Sequence, residues 1–197
     1  MMSSPVGHSL AGLSLYFLWT PYKGWRQLWE QKGGILTAVT LANLPDGDML
    51  VGSWIYGDRH ILHRELTHSP FFAVLLALIL SLFSLGRKGF LGPKKFNFFE
   101  NLDFWRKALR YFILVFSHGV MDFFSGDVIG YPSGQGVALL YPWDAKKYTS
   151  PIALLPAVDL NLGIWAMDNW TTAAIELILF GGLLLGILLF KGRKFPP

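Results

Sequence analysis

The stretch 170-WTTAAIELILFGGLLLGILLF-190 runs 21 residues with a single charge, Glu176. At 1.5 Å per helical residue it reaches about 31 Å, the thickness of a bilayer's hydrocarbon core. A second stretch, 69-SPFFAVLLALILSLFSLG-86, runs 18 residues without a charge. Both read as membrane-crossing helices. Three shorter apolar segments, residues 5–19, 34–44 and 108–124, extend the pattern, the last with His118 and Asp122 inside it. The expectation is an all-α integral membrane bundle of about five apolar helices, one domain over residues 1–197, with 170–190 as its C-terminal transmembrane helix.

Composition points the same way. Of the 197 residues 52% are hydrophobic and 15% charged, which favours a membrane protein over a soluble one. There is no cysteine, so disulfides, thiolate zinc sites and cysteine nucleophiles are excluded, and any metal must be held by histidine and carboxylate. The net charge of +4 sits in residues that flank apolar segments, which argues membrane orientation and against a nucleic-acid partner. The opening 1-MMSSPVGHSLAGLSLYFLWT-20 has neither a basic leader nor a small-residue cleavage site, so it is expected to stay in the mature protein. Ser4 and Pro5 read as a helix cap and first turn.

The loops divide by charge. Lys23, Arg26 and Lys32, then Arg87, Lys88, Lys94, Lys95, Arg106, Lys107 and Arg110, then Lys191, Arg193 and Lys194 make 13 of the 17 basic residues. With five alternating segments all three groups share one side, which the positive-inside tendency makes the cytoplasm. The expectation is a multi-pass protein of the plasma (inner) membrane with a cytoplasmic C-terminus. Ten of the 13 acids and all five histidines fall toward the other side. Helical rise sets His8, Asp46, His68 and Asp122 roughly 20–28 Å from the basic ends, so residues remote in sequence reach a similar depth.

His118 and Asp122 stand four apart, on one helix face, where two ligands can grip one ion. His8, the pair Asp46 and Asp48 in 44-LPDGD-48, and His63 and His68 in 58-DRHILHRELTHSPFF-72 complete a candidate set of seven donors. Such oxygen and nitrogen donors suit zinc, manganese or iron, in one or two ions. A cation also offsets the cost of ionised aspartates at membrane depth. Taken singly, each residue has a plainer role: a core histidine bonded to a carbonyl, a turn with a helix cap, an interfacial cap. Shared depth is what favours metal, and His60 is read as structural.

These residues resemble a family of predicted inner-membrane metal-dependent hydrolases, some described as associated with the LexA repressor. The likeness rests on Gly7 and His8, the LPDxD-like stretch with Asp46 and Asp48, an HRxxTHS stretch from His63 to Ser69, and the His118/Asp122 pair followed by a loop ending in LLYP, Leu139 to Pro142. It covers about residues 5–143. The family is in turn distantly similar to zinc-dependent phospholipases C and P1-type nucleases, all-α enzymes that cleave phosphoesters with a zinc cluster. That relation implies His8, Asp46 or Asp48, His63 or His68, His118 and Asp122 as metal ligands. No histidine follows His118, so one or two ions are expected rather than three.

The expected function is a membrane-bound hydrolase in which a metal-activated water attacks a phosphoester of a lipid or lipid-linked substrate entering at the outer face. Asp46 or Asp48 is the candidate general base, and Arg64 the candidate holder of the anionic substrate. Membrane lipids are the expected partners. The alternatives are a divalent-cation transporter and a non-catalytic scaffold with a structural metal. The turn-rich segment 125–144, with Gly126, Gly130, Pro132, Gly134 and Gly136, reads as a lid or a plain connection. Glu176 is either a functional acid or one lying at headgroup level. Gly182 and Gly186 predict a small-xxx-small helix contact, and Trp19, Trp25, Trp54, Trp143 and Trp170 predict interfacial anchors.

Overall fold

The computed structural model describes residues 3–22, 24–90, 101–131, 136–163 and 165–194. Lys23, Lys94, Lys95, Pro132 and Gly134 lie outside these, as do the side chains of Trp25, Arg26, Arg87, Lys88 and Lys194.

Local chemistry sets the helix boundaries. Helix α1 (Pro5–Trp19) starts where the Ser4 hydroxyl accepts from the Gly7 N–H at 3.1 Å and Pro5 takes the first helical position. After the short α2 (Trp25–Glu30), helix α3 (Lys32–Asn43) stops because Pro45 has no N–H with which to continue it. A single 3-10 turn, Leu44–Asp46, leads into α4 (Gly47–Tyr56). A histidine-rich loop follows, and Ser69 opens α5 (Pro70–Phe90) by accepting from the Phe72 N–H at 3.2 Å. Asn101 does the same for Phe104 at the start of α6 (Leu102–Phe123). The chain then runs through an irregular segment to α7 (Met167–Lys194).

Two expectations are corrected here. The fold is mostly helical but not all-α: β1 (Ser125–Gly126) pairs in parallel with β2 (Leu155–Pro156). Nor is it a bundle of about five membrane helices. Among the described residues one helix, Met167–Arg193, is long and apolar enough to cross a membrane, with a mean hydropathy of 2.5. Helices α1 and α3 are 15 and 12 residues long, short of a crossing. The described apolar run of α5 stops at Ser84, and α6 carries Asp103, Arg106, Lys107 and Arg110 along its first half. Only 11% of the α7 window is buried, and Leu177, Ile178, Leu183 and Phe190 point outward. A core helix of a soluble protein would bury most of that surface, so α7 presents a face suited to lipid.

Helix α1 packs between α3 and α7, α3 leans on α6, and α5 runs along α6. Ala38 and Leu41 of α3, Ala73 of α5, and Leu114 and Val115 of α6 form the buried centre. The α1–α3 approach depends on Gly12, where a Cβ would lie 2.7 Å from Ala42 Cβ and 3.0 Å from the Ala38 carbonyl oxygen. Gly12→Val is therefore expected to destabilise the fold by about 1–3 kcal/mol, read as a lower thermal midpoint in detergent. Gly186→Val should not, because a Cβ there meets open space. The same openness at Gly182 and Gly186 means that the expected small-xxx-small contact is not made within the described chain.

At the basic end of α7, Lys191 Nζ donates to the carbonyls of Leu18 and Thr20 at 2.9 and 3.0 Å. Glu176 lies 15 residues earlier on the same helix, about 22 Å away along its axis. There it meets Ser3 and Ser4, at the opposite end of α1.

Candidate metal centre

Four stretches of chain deliver polar side chains to that far end. His8 comes from the second turn of α1, Asp46 and Asp48 from the α3–α4 junction, His63, Arg64 and His68 from the loop before α5, and His118 and Asp122 from one face of α6. The proline-forced turn at 44–46 turns both aspartates inward. The loop holds Arg64 at a left-handed φ of 66° and makes the 3-10 turn Leu66–His68.

The resulting cluster is tight. His118 Nε2 lies 3.1 Å from Asp46 Oδ1 and 3.8 Å from Asp122 Oδ2. His68 Nε2 lies 3.6 Å from Asp46 Oδ1 and 3.4 Å from Asp122 Oδ2. The His8 ring stacks on His118 with centroids 3.6 Å apart, and His8 Nε2 is 3.6 Å from Asp122 Oδ1. Ligand atoms of Asp46, His68, His118 and Asp122 all fall within 4.8 Å of one another, and a second group, Asp48, His63 and His68, shares His68 with the first.

The hydrogen bonds sort the atoms into two sets. His118 Nδ1 donates to the Ala42 carbonyl at 2.7 Å, and its Nε2 is turned into the cluster, 3.1 Å from Asp46 Oδ1. His63 Nδ1 donates to Asp48 Oδ1 at 3.0 Å. His68 Nδ1 is 3.0 Å from the Thr67 hydroxyl, which itself donates to Asp48 Oδ2. The Asp48 carboxylate thus stands behind two imidazoles and fixes their tautomers, the arrangement by which metal-binding histidines are oriented. In contrast, both ring nitrogens of His8, Nε2 of His63 and of His68, and one oxygen each of Asp46 and Asp122 are buried without a hydrogen-bond partner among the described residues. Buried polar atoms without partners cost about 1–3 kcal/mol each, so a cluster of them needs a ligand to satisfy it. Two carboxylates and several imidazoles facing one point fit a divalent cation of the zinc, manganese or iron type.

Electrostatics agree with that division. Burial alone would raise the Asp48 carboxyl, but hydrogen bonds from His63, His68 and Thr67 outweigh it and hold its pKa at about 2. Burial alone would lower the His68 imidazole; the Asp122, Asp46 and Asp48 carboxylates, 3.4–3.6 Å away, outweigh it and push it up to about 10. At the Asp46 carboxyl burial is likewise overcome, by the His118 and His68 imidazoles beside it, and the pKa is lowered. His68 is the counter-charge that three aspartates draw to themselves, a role a metal ion would take over. Because Asp48 holds His63 and, with Thr67, His68 in place, Asp48→Asn is expected to weaken metal binding about 10–100-fold while leaving the chain folded, measured by competition with a chromophoric chelator.

Arg64 is fully buried, with Nε 3.5 Å from Asp122 Oδ2 and neither Nη hydrogen-bonded among the described residues. The turn-rich segment covers it: the Ala138 N–H donates to the Arg64 carbonyl at 3.0 Å, and Lys147 Nζ to the His63 carbonyl at 2.9 Å. His60 stands apart, accepting from Arg59 Nε at 3.1 Å.

Glu176, read in sequence as either a functional acid or one at headgroup level, reaches the cluster from α7 through partners that had no signal in sequence. Its carboxylate accepts from the hydroxyls of Ser3 and Ser4 and, at 3.1 Å, from the Ser4 N–H, while the Ser3 N–H donates to Asp122 Oδ1 at 3.0 Å. Gly7 makes room for it, since a Cβ there would lie 2.6 Å from the Glu176 carboxyl carbon.

The sequence matches the profile of the YdjM inner membrane protein over residues 1–195. The chain belongs to that family. This makes it an inner membrane protein, in keeping with the lipid-suited face of α7. No curated protein and no solved structure matches it. The family match does not reach the hydrolase and phospholipase C likeness, which rests on the residues quoted for it alone.

Proposed function

We propose that the chain is a metal-dependent hydrolase of the inner membrane that cleaves a phosphoester of a lipid or lipid-linked substrate. The observation that carries this reading is the convergence of buried ligand atoms from four separate segments beside the Arg64 guanidinium, whose Nη groups make no hydrogen bond among the described residues. A divalent cation held by His68, His118 and Asp122, with His8 and His63 beside them, would supply Lewis acidity toward a water and a phosphoryl oxygen. Asp46 is the one member of the four-residue group at an edge, its side chain 15% exposed where those of His68, His118 and Asp122 are sealed. It is placed to take the proton of an entering water. Arg64 faces the same cluster with a planar fork of donors suited to phosphoryl oxygens. Asp48, occupied by His63 and Thr67, orients rather than accepts. Positive charge gathered at the Lys191 end supports a cytoplasmic position for that end, with the cluster toward the outer leaflet and a lipid substrate entering sideways.

The test is hydrolysis of phospholipid and of an activated phosphodiester by detergent-purified, metal-loaded protein. Activity that chelation removes and Asp46→Asn lowers about 100-fold or more supports the reading. The sealed side chains of the cluster favour a second reading, a structural metal in a non-catalytic membrane protein. Bound metal that does not exchange, with no turnover of either substrate, would establish that one instead.

A further inference from the structure

A second site lies at the other end of the molecule. Helices α1, α3 and α6 enclose a cleft of about 220 Å³, lined by Tyr16, Trp19, Thr37, Lys107, Arg110 and Tyr111 among others. Among its described lining residues are two cations and no acid. Lys107 Nζ is 3.3 Å from the Ser84 carbonyl, a neutral acceptor, and makes no ion pair among the described residues. Pockets for whole drug-sized ligands run to about 300–1,000 Å³, so this one is the size of a polar headgroup.

Its level in the membrane follows from α7. Lys191, at the end of the apolar span, donates to the carbonyls of Leu18 and Thr20, and Thr20 is part of the cleft wall. The cleft therefore opens at the depth where the span leaves hydrocarbon for headgroups. Tryptophan and tyrosine collect at that depth, and basic pockets between helices on the positively charged side bind anionic headgroups. We infer that this cleft binds the phosphate headgroup of an anionic glycerophospholipid, with Lys107 and Arg110 on the phosphate and Tyr16, Trp19 and Tyr111 around the glycerol. The inference is independent of the metal cluster, which lies about 22 Å away along α7.

The experiment uses the full chain in detergent and native mass spectrometry, with phosphatidylglycerol and phosphatidylcholine of identical acyl chains as probes. Phosphatidylglycerol should bind about tenfold or more tightly, and the preference should vanish in the Lys107→Gln/Arg110→Gln double variant. Thr37→Phe, which fills the cleft and keeps both charges, should lose it as well. This second variant sits on an exposed position of α3, so its result does not depend on the double variant folding. Arg106→Gln, which removes an exposed charge one turn away, should retain the preference. Equal binding of the two lipids, an equal loss in Arg106→Gln, or retention in Thr37→Phe would overturn the inference. Displacement of phosphatidylglycerol by millimolar inorganic phosphate would overturn the lipid source and leave a soluble phosphate site.

Discussion

His68→Ala is expected to empty the chain of divalent metal. His68 belongs to both groups of candidate ligands, and its two ring nitrogens face different carboxylates, Asp48 on one side and Asp46 and Asp122 on the other. Its removal leaves each group without its shared member and leaves three acids crowded with less counter-charge. Plasma mass spectrometry of detergent-purified protein should find one or two zinc, manganese or iron ions per wild-type chain. It should find a loss of about 100-fold or more in affinity in His68→Ala, beyond the effect of an orienting residue. His60→Ala, which removes a histidine outside the cluster, should keep full occupancy. Wild-type protein that carries no metal after gentle purification and takes up none on titration would return the cluster to a network of buried ion pairs.

Glu176→Ala is the second large effect. The carboxylate is fully buried and satisfies the Ser4 N–H and two serine hydroxyls, so its removal leaves buried donors unpaired at about 1–3 kcal/mol each. A total of about 3–5 kcal/mol is expected, of the size seen when one partner of a buried charged contact is removed. It would appear as a clear fall in thermal midpoint in detergent. Glu176→Gln, which keeps an acceptor oxygen, should recover part of it. An unchanged midpoint in Glu176→Ala would mean that α7 docks by apolar packing alone.

Much of this was legible in sequence where the signal is local. Ser4 and Pro5 announce the start of α1, and the i, i+4 spacing puts His118 and Asp122 on one face whatever else α6 does. The count of membrane helices was not, for a physical reason. An apolar run of 11 to 17 residues buries itself as readily against protein as against lipid, and hydrophobicity does not distinguish the two. Residues 34–44 look like a span until Ala38, Leu41 and Ala42 are seen buried against neighbouring helices. The division of the aspartates was also hidden. Asp46 and Asp48 are two residues apart and chemically identical; only the placement of Thr67 and the two imidazoles makes one face the cluster and the other stand behind it. The Glu176 contacts bridge more than 170 positions and leave no mark in either stretch.

The link between Glu176 and the first residues has a consequence for biogenesis. The ribosome makes Ser3 and Ser4 before Asp122, and Asp122 before Glu176. Until α7 is inserted, the serine donors that Glu176 satisfies have no acceptor from that helix, and the stretch of chain that donates to Asp122 is not pinned. The cluster is therefore completed only when α7 is in place, and a nascent chain stalled before residue 167 has all five cluster and loop histidines but an unfinished site.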